Sequence, residues 1–371
     1  MVELPLNMLY TISLLSALSA TAIAQSYRLT DTYTPANFFS KFDFFTAPDP
    51  THGFVTYVDY NTALSSRLIP SSGVANWGVD QSTTLSPTGP GRRSIRLTSK
   101  ARYNKGLFIA DIQHMPDSTC GSWPAFWMLG QTGTWPQSGE LDILEGVNRQ
   151  TTNLISAHTK TGCTVSGAGQ TATLQTNNCA VPFSTTGCSN SDPRTSSYGN
   201  GFNAQGGGVY AIDWTSAAIK VWFFPRANIP QSIRNGNPNP TADFGTPTAN
   251  FQGSCNIDQQ FYDMAIVFDT TFCGDWAGQT YQSAACPMSA GKDSWASCNA
   301  FVAGNPGAFG QQYWYINYIK TYAQSSAARV QQDLAPEESA APRMDGNITG
   351  LPLAMGRAGA ERKRAVRFGE Q

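Results

Sequence analysis

Short runs, either alternating between apolar and polar side chains or fully apolar, recur along the whole chain, at residues 53–60, 94–99, 106–113, 209–214, 218–224, 262–268 and 313–322. In the run 218–224, Ile219, Val221 and Phe223 fall on one side and Lys220 and Trp222 on the other. In 313–322, Tyr313, Tyr315, Asn317 and Ile319 oppose Trp314, Ile316, Tyr318 and Lys320. A period of two belongs to strands, whose successive side chains point to opposite faces. Turn-rich segments separate the runs, and no long amphipathic helix is expected between them. Such a succession predicts an all-β fold, a sandwich of antiparallel sheets. Five prolines, Pro225, Pro230, Pro238, Pro240 and Pro247, make 225–250 a loop rather than a linker between domains.

One run departs from this pattern. Gly139-Glu140-Leu141-Asp142-Ile143-Leu144-Glu145-Gly146 places three carboxylates within six residues, interleaved with apolar side chains. Acids avoid such surroundings, because a buried unpaired charge is costly. On a strand, Glu140 and Asp142 share a face while Leu141 and Ile143 pack behind it. Glu145 would fall on the wrong face unless a bulge at Ile143-Leu144 adds one residue and turns it back. The strand must also curve, since cooperating carboxyls in a retaining glycosidase stand only ~5–5.5 Å apart. Two plainer readings compete. Leu141, Leu144 and Val147 are spaced like one face of a helix, and an acidic strand face also suits calcium or lectin-like binding.

The surroundings narrow the choice. Gly121-Ser122-Trp123-Pro124-Ala125-Phe126-Trp127 lies upstream, Trp135-Pro136-Gln137-Ser138-Gly139 leads into Glu140, and Val147-Asn148 and then His158 follow. Over about residues 33–322 the chain resembles glycoside hydrolase family 16, in particular the fungal laminarinase-like endo-1,3(4)-β-glucanases. Their motif is Glu-x-Asp-x-x-Glu on a bulged strand, preceded by Trp-Pro. The resemblance implies a β-jelly-roll sandwich of two antiparallel sheets with a concave substrate cleft. It also implies a retaining endo-glucanase acting on β-1,3 and mixed β-1,3-1,4 glucans. Carried over by position, Glu140 is the nucleophile and Glu145 the acid/base. Asp142 lies between them on the same face, placed to orient the nucleophile. His158 matches a position near the acid/base, Trp127 and Trp135 match cleft positions on the glycone side, and Trp276 is expected to face the groove. For each of these aromatic and histidine positions, core packing is the plain alternative. Arg92 and Arg93 follow a Gly-rich turn and could reach sugar hydroxyls, although exposed arginines are the commoner case. His52 and His114 carry no assignment.

Composition mostly excludes. The 371 residues are 13% charged with a net charge of −1, which gives no argument for a nucleic-acid or anionic-membrane partner. Nine Trp, fourteen Tyr and twenty Phe suit a sugar-binding groove as well as a core. Residues 1–24 read as a signal peptide ending Ala22-Ile23-Ala24, although the segment lacks Lys or Arg before its apolar run. Eight cysteines, none paired at metal-ligand spacing, predict disulfides rather than zinc, with connectivity left open. The predicted organisation is a catalytic domain over 25–322 and a disordered tail over 323–371. A secreted monomer is expected, with β-glucan as its partner and neither metal nor cofactor. Rival functions are a transglycosylase of the same fold, a non-catalytic glucan-binding jelly roll, and a wall protein.

Overall fold

A computed structural model describes residues 26–325, apart from residue 72 and residues 182–185. The expected signal peptide, and the expected tail beyond residue 325, lie outside the described residues. Two antiparallel sheets face each other across one core. The first runs, in spatial order, Tyr27–Tyr33, Tyr313–Gln324, Gly106–His114, Gly208–Trp214, Ile219–Pro225 and Ala249–Phe251, with Asn76–Gly78 also paired to Tyr313–Gln324. The second runs Thr173–Thr176, Cys188–Ser191, Leu154–His158, Glu140–Glu145, Ser122–Gly130, Met264–Phe272, Leu97–Ser99 and Phe42–Phe44. Neighbours in space are often distant in sequence, which is the crossed connectivity of a jelly roll. The acidic run sits near the middle of the second sheet, where both flanking strands restrain its backbone.

The core explains which residues became strands. Phe108, Ala110 and Ile112 from one sheet meet Phe126, Met128, Leu141 and Ile143 from the other, with Phe268 and Trp314 between them. Trp314 and Trp77 stack, and Phe268 meets both edge-on at 5.3 and 5.4 Å. Removing such area from water is the main drive to fold, roughly 25 cal/mol per Å2 of apolar surface.

One expectation is corrected. The proline-rich segment after Pro225 is not plain loop: it holds a helical turn at Gln231–Arg234, and Ile233 and Phe244 pack onto Leu107, Ile109, Val209 and Trp222. It covers the outer face of the first sheet, so Gly208–Trp214 is buried along its whole length. An eleven-residue helix, Ser294–Gly304, also forms, capped by the Asp293 side chain, which accepts from the Ala296 N–H at 2.7 Å. Four disulfides join Cys120–Cys286, Cys163–Cys255, Cys179–Cys188 and Cys273–Cys298. Among the described residues no helix is long and apolar enough to cross a membrane.

Candidate active site

The acidic strand carries an extra residue. Opposite Leu154–His158, Ser156 pairs with Asp142 but Leu154 pairs with Glu145, so three steps on one strand match two on the other. The pairing with Ser122–Gly130 skips at the same place, between Phe126 and Trp127. Ile143 and Leu144 both enter the core, which returns Glu145 to the face that Glu140 and Asp142 occupy. One side chain holds this irregularity. Asn153 Oδ1 accepts the Glu145 N–H and its Nδ2 donates to the Ile143 carbonyl, both at 2.8 Å. The carboxamide thus satisfies backbone groups that the bulge removes from the ladder.

The expected site residues gather in three contacts on this face. In the first, His158 lies opposite Glu140 in the ladder, and its Nε2 stands 3.2 Å from Asp142 Oδ2 and 3.8 Å from Glu140 Oε1. The Trp135 indole N–H donates to Glu140 Oε2 at 2.9 Å, while Trp135 keeps 48% of its surface exposed. In the second, the Trp123 indole N–H donates to Glu145 Oε1 at 2.8 Å, and Trp276 meets the Trp123 ring edge-on at 5.6 Å. In the third, Trp127 pairs with Asp142 across the ladder, with the Arg96 guanidinium 4.8 Å over its ring. Arg96 in turn reaches Asp269 at 3.9 Å, and both are almost fully buried.

Burial dominates the electrostatics. The Glu140 side chain is 16% exposed and that of Asp142 only 4%. Burial pushes Glu140 up to about 7, with the Asp142 charge adding to the rise and His158, Trp135 and Arg96 opposing it. Asp142 rises to about 8, by burial and then by the charge of Asp269. Glu145 is driven well above the usual carboxylate range by burial, then by Asp142, despite its Trp123 hydrogen bond. Asp269 rises to about 7 by burial, against the pull of Arg96. Crowded carboxylates in low dielectric cannot all ionise together. The arrangement therefore holds protonated and ionised carboxyls side by side near neutral pH, as paired acid and base chemistry requires.

Some residues went unread in the sequence. Trp123 lies four positions before Trp127 on one strand, hence on its face, and that spacing was the available signal. Arg96, Asp269 and Asn153 gave no comparable sign. Arg92 does not reach the site: it is fully buried and donates to the carbonyls of Asp80 and Val302. Arg93 is exposed near Ser66. His52 pairs with Asp275 on the surface, and His114 stacks on Tyr313.

Comparison with known proteins gives one consistent answer. Residues 42–322 match the family model described as the XgeA-like, catalytic GH16 domain. The chain is 48% identical over 329 residues to a protein of Aspergillus niger named "Probable endo-1,3(4)-beta-glucanase", covering 88% of this chain and 44% of that one. Among solved structures, it is similar to an elongating GH family 16 beta-1,3-glucosyltransferase, with 49% identity, a TM-score of 0.77, and coverage of 80% of this chain and 100% of that one. It is also similar to Laminarinase 16A from Phanerochaete chrysosporium, solved with 6-O-glucosyl-laminaritriose in donor and acceptor sites, at 41% identity and a TM-score of 0.75, with the same coverage. The chain spans about half the length of the first curated relatives it matches.

Proposed function

The chain belongs to glycoside hydrolase family 16, and from that premise we propose that it is a secreted, monomeric endo-acting β-glucanase. It cleaves β-1,3 and mixed β-1,3-1,4 glucans with retention at the anomeric carbon. The observation that carries the proposal is the acidic strand, where a bulge presents Glu140, Asp142 and Glu145 together and a tryptophan N–H touches each glutamate. Glu140 attacks the anomeric carbon, and Glu145 gives its proton to the leaving oxygen. Glu145 then takes a proton from the water that opens the glycosyl-enzyme ester. The electrostatics favour this order: Glu145 is driven far up and keeps its proton, whereas His158, Trp135 and Arg96 help Glu140 to lose its own. Asp142, 3.2 Å from the His158 nitrogen that also approaches Glu140, holds the nucleophile in line through that ring. Trp135, exposed beside Glu140, offers a flat face to a sugar ring, as do Trp127 and Trp276 from half-buried positions. The four disulfides suit an oxidising, extracellular setting. We read residues 25–322 as the catalytic domain, between a signal peptide and a tail.

A second reading has specific support, because a solved structure 49% identical to this chain is a glucosyltransferase. The same ester intermediate could pass its glycosyl unit to a sugar hydroxyl in place of water. Product analysis on laminarin and lichenan separates the two: hydrolysis gives a net rise in reducing ends, transfer gives longer products without one. Glu140→Gln and Glu145→Gln should each remove activity on laminarin, by at least ~100-fold for the acid/base, with the melting temperature little changed. Near-normal turnover in either variant, or neither product pattern from the parent protein, would refute the assignment.

A further inference from the structure

Three side chains of the acidic cluster also have the geometry of metal ligands. Glu140, Asp142 and His158 each turn one donor atom inward, and the three atoms lie within 4.8 Å of one another. His158 Nε2 and Asp142 Oδ2 are already 3.2 Å apart, close to the edge of a zinc tetrahedron whose bonds are ~2.0–2.2 Å long. Glu140 Oε1, 3.8 Å from the same nitrogen, needs only a small swing of a long side chain. Its other oxygen stays with Trp135. A second observation points the same way. Asp142 is 3% exposed, yet its Oδ2 has no hydrogen-bond partner while it faces the imidazole. A buried carboxyl oxygen that makes no aligned hydrogen bond is costly, and a cation shared with the His158 nitrogen 3.2 Å away would satisfy it. Carboxyls also outnumber cationic groups here: Glu145 and Asp269 adjoin the three ligands, and Arg96 is the guanidinium acting on the cluster. One imidazole and two carboxylates form a borderline donor set, better suited to Zn2+ than to Mg2+ or Ca2+.

We propose that Glu140 Oε1, Asp142 Oδ2 and His158 Nε2 form a Zn2+ site that closes the enzyme by occupying the place of the scissile sugar. Zinc is here an inhibitor, with no part in the reaction. Each carboxyl that binds it releases any proton it held to the solvent, and the nucleophile is no longer free to attack. The binding claim stands on geometry alone, whereas the inhibition claim rests on the hydrolase reading above.

The test uses the full chain and zinc chloride in a non-coordinating buffer at pH 7. Calorimetry should give one tight site with heat that depends on the buffer's ionisation enthalpy, the mark of proton release. Asp142→Asn and His158→Gln should each weaken zinc binding by at least ~10-fold, with far-ultraviolet circular dichroism checking that both remain folded. The surface variant His52→Asn should leave affinity unchanged. In laminarin assays, zinc should raise KM with kcat held, and a chelator should restore activity. Absence of binding at millimolar zinc would overturn the proposal. So would equal affinity in the Asp142 and His158 variants, or loss of the site on changing His52. If zinc binds through these residues but laminarin is never cleaved, the site stands and the hydrolase reading fails.

Discussion

The two glutamates differ in their immediate partners, and those partners fit the roles proposed for them. Glu140 has a tryptophan N–H on one oxygen and His158 near the other, which eases its ionisation. Glu145 also has a tryptophan N–H, from Trp123, and a weaker pull from His158, but the adverse fields of both Asp142 and Glu140 act on it. A hydrogen bond to the ionised form pulls a carboxyl pKa down. Trp123→Phe keeps the ring and removes that donor, so Glu145 should hold its proton to still higher pH. The alkaline limb of the kcat/KM profile should then move up by about one pH unit, the equivalent of one net hydrogen bond. A pH series on laminarin measures it, and an alkaline limb that stays put or moves down contradicts the role given to Glu145. The acid limb, which the proposal gives to Glu140, should stay where it is.

At the scale of the strand, the proposed function depends on an irregularity. Without the extra residue, plain alternation would turn Glu145 into the core, as the packing of Ile143 and Leu144 on one side makes clear. Asn153 clasps both ends of that bulge. Asn153→Ala should therefore cost roughly 1–3 kcal/mol for the buried backbone groups left unpaired, read as a lower urea midpoint. It should also lower kcat more than it raises KM, because Glu145 is misaimed while the aromatic sugar contacts remain. A variant equally stable and equally active would show the clasp to be dispensable. The bulge itself was legible in the sequence: acids five apart cannot share a strand face without one, and the apolar pair at 143–144 marks where it must fall. Half-exposed strands such as Tyr313–Gln324 were legible for the same reason of period. Gly208–Trp214 carried a weaker signal, since a strand covered on both faces has no need to alternate. The Ser294–Gly304 helix gave no amphipathic signal, because its apolar Trp295, Ala300 and Phe301 point in three directions instead of forming a stripe. Arg96 and Asp269 were out of reach altogether. They meet only through the pairing of Leu97–Ser99 with Met264–Phe272, a register between segments that no local pattern specifies.

For the molecule as a whole, the site is a store of unfavourable electrostatics that the rest of the fold must hold closed. The Cys120–Cys286 and Cys163–Cys255 bonds span 166 and 92 residues and restrict the unfolded chain most. Against that background, the pH dependence of stability has a definite sign. Glu140, Asp142 and Asp269 titrate near 7, 8 and 7 in the folded protein, but near the ordinary value of about 4 once unfolded. Between those limits the folded state binds more protons than the unfolded one, so stability falls as pH rises. The contribution is complete below pH ~4 and is lost as pH climbs through the folded values of about 7 to 8. If even one proton is retained across the middle of this window, the slope is about 1.4 kcal/mol per pH unit. Urea unfolding at pH 5, 6, 7 and 8 should thus show a steadily falling midpoint. Asp142→Asn, which cannot ionise, should flatten the decline while keeping a polar group beside His158. A midpoint that is level or rising across the same range would mean that these carboxyls are already ionised in the folded protein. The acid/base division of labour, which needs one of them to keep its proton, would fall with it.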